Sequence, residues 1–260
     1  MYLIMKRAFL LLWAMLLCGV VSAQEQPSQP PVKQPEEVSA GAARLDNIVS
    51  TPSSEWLGKF DKINISGAMQ VTLIRIAATE APKIYFDTKG STTTKFKMEV
   101  DKKGLLNVIE TVDTKRTTIT EVKIYYNDIS QLTIAGANVT MEQSLEGKMF
   151  DLMVSGGATV RGKVNVQDLA MEVTGRSSVV LEGVARYLGV KVSTAKLDAS
   201  ALECVATIVD ASHGAEVSLH TTERLEATTS TSAVITYKGK PSIVRVRSSL
   251  FGGDIICADK

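Results

Sequence analysis

A run of near-copies after residue 130 limits this chain more than any other feature. Leu132 opens LTIAGANVTM, Leu152 opens LMVSGGATVRG, Met171 opens MEVTGRSSVVLEG and Val190 opens VKVSTAKLDAS. Ile208, Ala227 and Val244 open three more, IVDASHGAEVSL, ATTSTSAVITYKG and VRVRSSLFGGDI. Each copy has an alternating apolar pair, a small-residue turn, then another apolar residue. The turn markers are Gly136, Gly156, Gly175, Thr194, Ser212, Ser230 and Ser248, with steps of 20, 19, 19, 18, 18 and 18. An earlier copy, INISGAMQVTL at Ile63, has its marker at Gly67.

A period near 19 is too short for helix-pair repeats or propeller blades. It suits a solenoid whose turns supply short strands that stack in parallel on the next turn. At about 4.8 Å per turn, seven turns span roughly 34 Å. Alternation points Leu152 and Val154 inward, and Asp151, Met153 and Ser155 outward. Val160 then starts the next side. A corner must redirect the strand within two or three residues, which calls for residues that tolerate positive φ. Gly67, Gly136, Gly156, Gly157 and Gly175 are the expected structural turn positions. Thr194, Ser230 and Ser248 stand where earlier copies have glycine, so wider corners are expected there. Leu181-Glu182-Gly183 marks a second corner of the turn. Asp198-Ala199-Ser200 and Asp210-Ala211-Ser212 repeat 12 apart rather than 19, which leaves the register of 206–217 open.

The segment 60–130 is also strand-like but irregular. KIYFDT at 83–88 and TTKFKMEV at 93–100 alternate polar with apolar, separated by Lys89-Gly90. Asp101-Lys102-Lys103-Gly104 is a further turn, and 117–126, TTITEVKIYY, alternates with Ile119, Val122 and Ile124. Short β-branched runs joined by tight turns predict antiparallel pairing here. No stretch keeps apolar residues at helical spacing. The expected class is all-β: a parallel β-helix over 131–256 with extra antiparallel-like strands toward its start, in a body spanning 56–260.

Two segments precede that body. In residues 1–23, Lys6 and Arg7 lead into an apolar run that ends at Val21-Ser22-Ala23, the pattern of a secretory signal peptide. Its apolar run, about 21 Å as a helix, is short of a bilayer core. Cys18 follows Leu17, where a lipoprotein signal wants a small residue. Residues 24–55 hold Pro27, Pro30, Pro31 and Pro35 and few large apolar side chains, so they read as a flexible linker. Cleavage after Ala23 removes Lys6, Arg7 and Cys18 and changes the net charge from +1 to −1. That balance argues against a nucleic-acid partner. Aromatic residues make up only 5%, too few for an RNA stacking platform or an aromatic-lined sugar cleft, though single aromatics could still do either job. No other run approaches membrane-spanning length, so the mature chain is expected to be exported, in the periplasm, outer-membrane-associated or on the cell surface.

The recurring ISGAMQV, IAGANV, VSGGATV, VTGRSSV and VDASHGAEV, with FDKINISGAMQVTL at Phe60, resemble the head-GIN family of putative autotransporter adhesins. The resemblance covers roughly residues 60–256. It implies a right-handed parallel β-helix outside the cytoplasm, and it implies no chemistry and no site residues.

The chemical candidates weigh little against structural roles. GGATVRG lacks the terminal G-K-[ST] of a phosphate loop, and Ser155 precedes its glycines with no helix after it. His213 and His220 are seven apart with no ligand cluster near them. Asp198, Asp210 and His213 would meet only if stacking placed them on one face. No catalytic, metal or cofactor residue is assigned. Cys204 and Cys257, nearly three turns apart, are too distant for a disulfide in a regular solenoid. The run 228–232, TTSTS, reads as a solvent-facing strand and corner, or as a flat polar face for a polymer. The sequence thus points to a non-enzymatic scaffold, an adhesin or envelope protein whose partner is a surface polymer, a glycan or another envelope protein. The alternative is a polysaccharide-binding or polysaccharide-active β-helix, which would need Asp, Lys or Arg clustered on one outer face. Open strand edges at the ends also suggest a homodimer.

Overall fold

The computed structural model describes residues 52–89, 95–111, 118–249 and 251–259. The expected signal peptide, nearly all of the linker, and Gly90 of the Lys89-Gly90 turn lie outside them. Among the described residues every regular element is a strand. The first seven are β1 (Ser53–Trp56), β2 (Lys62–Ser66), β3 (Met69–Arg75), β4 (Lys83–Asp87), β5 (Lys95–Val100), β6 (Leu105–Thr111) and β7 (Thr120–Tyr126). Next come β8 (Gln131–Ala135), β9 (Asn138–Met141), β10 (Leu145–Ser155), β11 (Thr159–Thr174) and β12 (Ser178–Ser193). The last are β13 (Lys196–Ser212), β14 (Glu216–Thr229), β15 (Ala233–Lys238), β16 (Ile243–Ser248) and β17 (Gly253–Cys257). The expected start of the body at residue 56 falls inside β1.

From β8 onward each turn pairs in parallel with the turn one repeat away, giving a β-solenoid of about seven turns. Register converts the repeat into columns of core side chains. One column runs Leu132, Leu152, Met171, Val190, Val209, Ala227; another runs Val139, Val160, Val179, Leu197, Val217, Ile235. All of these are buried. Each fully buried aliphatic side chain contributes about 1.5–3 kcal/mol relative to exposure. As alternation predicts, Leu152 and Val154 point inward and Met153 points out.

The corners show why small residues recur. Ser155-Gly156-Gly157-Ala158 and Ser212-His213-Gly214-Ala215 are four-residue turns, each closed by an Ala N–H donating to the Ser carbonyl, at 3.3 and 3.1 Å. Both central residues have positive φ, the signature of a type I′ turn. Gly67, Gly136 and Gly175 also have positive φ. Successive corners bond along the stack: the Gly157 N–H donates to the Gly175 carbonyl, and the Arg176 N–H donates to the Thr194 carbonyl. The residue after each corner is small and buried: Ala137, Ala158, Ser177, Ala195, Ala215 and Ala233.

Two corner expectations are corrected. At Ser212 and Ser230 the left-handed residues come one position later, at His213-Gly214 and Thr231-Ser232. The serine carbonyl closes the turn, so the serine itself stays in the strand register. At Thr194 the corner is narrower, not wider, with Thr194 its single left-handed residue. The open register near 206–217 also has a structural cause. The β13–β14 pairing shifts between Ala199 and Glu203 and again between Cys204 and Ala206, which absorbs the shorter step.

The region before residue 130 is partly solenoid. β6 and β7 form a turn, and β2 and β3 form another that lies between it and the turn of β8 and β9. Chain order and stacking order therefore differ at this end. Gly67 makes the insertion possible: at φ +119° a Cβ there would sit 2.3 Å from the Glu110 carbonyl oxygen. Antiparallel strands then close the end. β4 pairs with β7, β1 pairs with β4, and β5 pairs with β6. The expected antiparallel pairing is present, but β4 and β5 do not pair with each other. Phe86 on β4 and Phe96 on β5 stack at 4.7 Å between centroids and cover the core.

Candidate functional site

The cap sheet β1–β4–β7 presents an outward face on which the alternation of three strands coincides. Ile84, Phe86, Val122 and Ile124 are buried, so Lys83, Tyr85, Lys123 and Tyr125 take the other face. Register aligns them in two rows, Trp56–Lys83–Tyr125 and Ser54–Tyr85–Lys123. The Lys83 ammonium stands 5.7 Å from the Trp56 ring centroid and 4.6 Å from that of Tyr125. Such contacts contribute about 0.5–1 kcal/mol at exposed positions and hold the rings side by side. Trp56 remains 73% exposed. Among the described residues neither Lys83 nor Lys123 has an ion-pair partner. These residues line an open cleft of about 420 Å³.

This cluster was not identified from the sequence. The signal was present in KIYF and KIYY, where Lys and Tyr occupy the phase opposite the core residues. What the sequence lacks is the pairing: β4 lies beside β7, with Ile84 opposite Ile124, and not beside β5.

A second depression lies on the side of the solenoid. Its floor is Ala170 and Gly189, aligned between Asp151 and Ile208, and its volume is about 640 Å³. Met153 and Ile208 stand exposed beside it, and the outward column Glu172, Lys191, Asp210 crosses it. Three carboxylates and one lysine therefore share this face. Signs alternate along the column, as expected of cross-strand charge neighbours in a stable sheet. A third cleft, beside Arg75, is bridged by its own ion pairs: the guanidinium meets Asp128 and Glu146, each at 2.9 Å.

The structure separates the sequence candidates. Asp210 lines the side depression. Asp198 accepts hydrogen bonds from the Ser200 N–H and hydroxyl, which hold its carboxyl below the usual range. His213 sits at a corner, 3.2 Å from the Ser193 hydroxyl and 3.1 Å from that of Ser212. Among the described residues no three His, Cys, Asp or Glu side chains converge as a metal site. Cys204 is buried, and burial pushes its thiol up to about 12, so it stays protonated and unreactive. Cys257 lies on β17, opposite Tyr237, and both thiols are free. The TTSTS run divides: Thr228 borders the side depression, Thr229 is buried, and Ser230-Thr231-Ser232 make the corner. It is not a flat polar face. The Asn64 amide donates to the Asn107 side-chain carbonyl on the neighbouring turn.

Among the described residues no helix is long and apolar enough to cross a membrane. No curated protein matches the chain. Solved structures share its fold at low identity. A "putative adhesin" from Bacteroides fragilis is 18% identical, with a TM-score of 0.68, over 79% of this chain and 95% of that one. A "putative adhesin" from Parabacteroides merdae is 16% identical, with a TM-score of 0.58, over 79% and 95%. A "putative lipid binding protein" from Parabacteroides distasonis is 14% identical, with a TM-score of 0.57, over 79% and 97%. The family described as "putative auto-transporter adhesin, head GIN domain" matches residues 59–241, most of the solenoid and its cap, and the chain belongs to that family.

Proposed function

We propose that this protein is an exported, non-enzymatic binding scaffold of the adhesin kind. Its cap sheet would hold an anionic polysaccharide at the cell envelope. The observation that carries this reading is the pair of aromatic–lysine rows on β1, β4 and β7. A sugar ring presents a face of C–H groups that packs flat on an exposed indole or phenol ring. Carboxylate or sulfate groups on the same polymer would meet Lys83 and Lys123, whose charges are not neutralised by neighbours. The side depression suits such a ligand less well, because its three carboxylates outnumber Lys191. The rigid solenoid supplies the support, since the cap strands are anchored by Phe86 and Phe96 in the core.

Binding of the purified protein to immobilised anionic and neutral polysaccharides tests this, with a degradation assay run on the same polymers. We expect retention on the anionic set, weakened by salt. Trp56→Ala should weaken it by about 30-fold, as for a central aromatic contact. Turnover of any polymer would sink the scaffold reading. Silence in both assays would favour a purely structural envelope role.

A further inference from the structure

The C-terminal end of the solenoid is finished differently from the other. β16 pairs with β14 and β17 pairs with β15, each in parallel, and no described strand lies beyond them. The core columns continue into this turn without being covered. Val244 follows Leu225 and Val246 follows Ala227 in register, yet Val246 is 53% exposed and Val244 nearly as much. Phe251, at the corner between the two strands, is 80% exposed. Two parallel strands thus offer unpaired backbone groups beside an apolar surface, an arrangement that soluble proteins ordinarily block.

We propose that this end is a homodimer interface in which β16 of one copy pairs antiparallel with β17 of a second copy. The geometry carries the choice of partner. β16 and β17 circulate in the same sense around the solenoid. A two-fold axis perpendicular to the solenoid axis, through the corner between them, exchanges the two strands and reverses their direction. Residues equidistant from that corner then lie opposite each other. Val246 meets Ile255, Val244 meets Cys257, and Arg247 meets Asp254. Each pair is matched in face. Val246 and Ile255 continue inward columns, below Ala227 and Ile235, while Arg247 and Asp254 point out. Arg247 and Asp254 have no ion-pair partner in their own chain among the described residues, and in the dimer each gains one of opposite sign. Because the contact is isologous, both open strands of both copies are satisfied at once and growth stops at two. The other end, covered by β1, β4 and β5, takes no part.

Sedimentation equilibrium of the purified protein over a wide concentration range tests this. The expected mass is twice that of the chain. Arg247→Asp sets two acidic residues opposite each other, and Asp254→Arg sets two basic ones. Each should weaken association by at least about 10-fold, equivalent to roughly 1.4 kcal/mol. The double exchange, Arg247→Asp with Asp254→Arg, should restore it. Both side chains are exposed, so unchanged thermal unfolding of the variants at low concentration would show that they fold. A wild-type protein that stays monomeric overturns the proposal. So does a dimer insensitive to the single changes, or one that the double exchange fails to recover. A monomer whose amides in 243–257 exchange slowly would show that the chain's own upstream residues cover the edge, and would equally overturn it.

Discussion

At its first end the solenoid core is closed by β4 and β5, lying antiparallel on β7 and β6, with Phe86 and Phe96 stacked over the last apolar layer. At its other end, Val244 and Val246 continue the same columns and stand half exposed. The end strands are similar in length, five and six residues for β4 and β5 and six and five for β16 and β17. The difference is one of chain path: β4 and β5 lie across the end of the core, while no described residue after β17 does so. A solenoid turn cannot bury its own apolar face, so an end is stable in water only when something other than another turn covers it.

The largest expected effect comes from opening the covered end. Phe86→Ala should cost about 3–5 kcal/mol in urea unfolding, because a fully buried aromatic leaves a cavity in the last layer. Val246→Ala, at the equivalent layer of the open end, should cost under about 0.5 kcal/mol at concentrations too low for association. Equal losses would break the comparison.

A backbone contact tests the repeated turns between the ends. A Cβ added at Gly183 would lie 2.1 Å from the Val164 carbonyl oxygen, at a φ of +116°. Gly183→Ala should therefore destabilise the fold by about 2 kcal/mol or more. Gly157→Ala meets nothing within 4 Å and carries only the penalty of its left-handed conformation, about 1 kcal/mol.

Two smaller effects follow. Ser177 stands where neighbouring corners have alanine, and its buried hydroxyl lacks a hydrogen-bond partner. Ser177→Ala should stabilise the protein by about 1 kcal/mol in the same unfolding assay. Tyr126, the last residue of β7 at the covered end, is buried, and burial raises its phenol to about 12. The unfolded chain releases this proton near pH 10. Its contribution is therefore intact below pH about 10 and is lost as pH rises toward about 12. Tyr126→Phe should flatten that alkaline slope. An unchanged slope would place the titration elsewhere.

Legibility varied along the chain for identifiable reasons. Wherever a turn stacks on near-copies of itself, one copy predicts the environment of the next, and Leu152, Val154 and Val160 could be placed before any coordinates. Where copies stop, phase became ambiguous. In 117–126, Ile119 and Val122 cannot share a face at a period of two. The structure resolves the conflict by exposing Ile119 and burying Thr120, whose hydroxyl donates to the buried Glu110. The aromatic–lysine rows were hidden for a related reason. Each strand showed its outward residues, but the rows exist only because β1, β4 and β7 become neighbours.

The sequence by itself determined the strand class, the period, the inward residues of each repeat and the position of most corners. These are local or nearest-neighbour properties, set by alternation and by which residues tolerate positive φ. Only the tertiary structure decided that β2 and β3 slip between later turns, that one end is covered while the other stays open, and which side chains meet on the cap. Those outcomes depend on contacts between residues far apart in the chain. Such contacts are chosen by which surfaces remain unburied once the repeats have stacked, and no local pattern records that remainder.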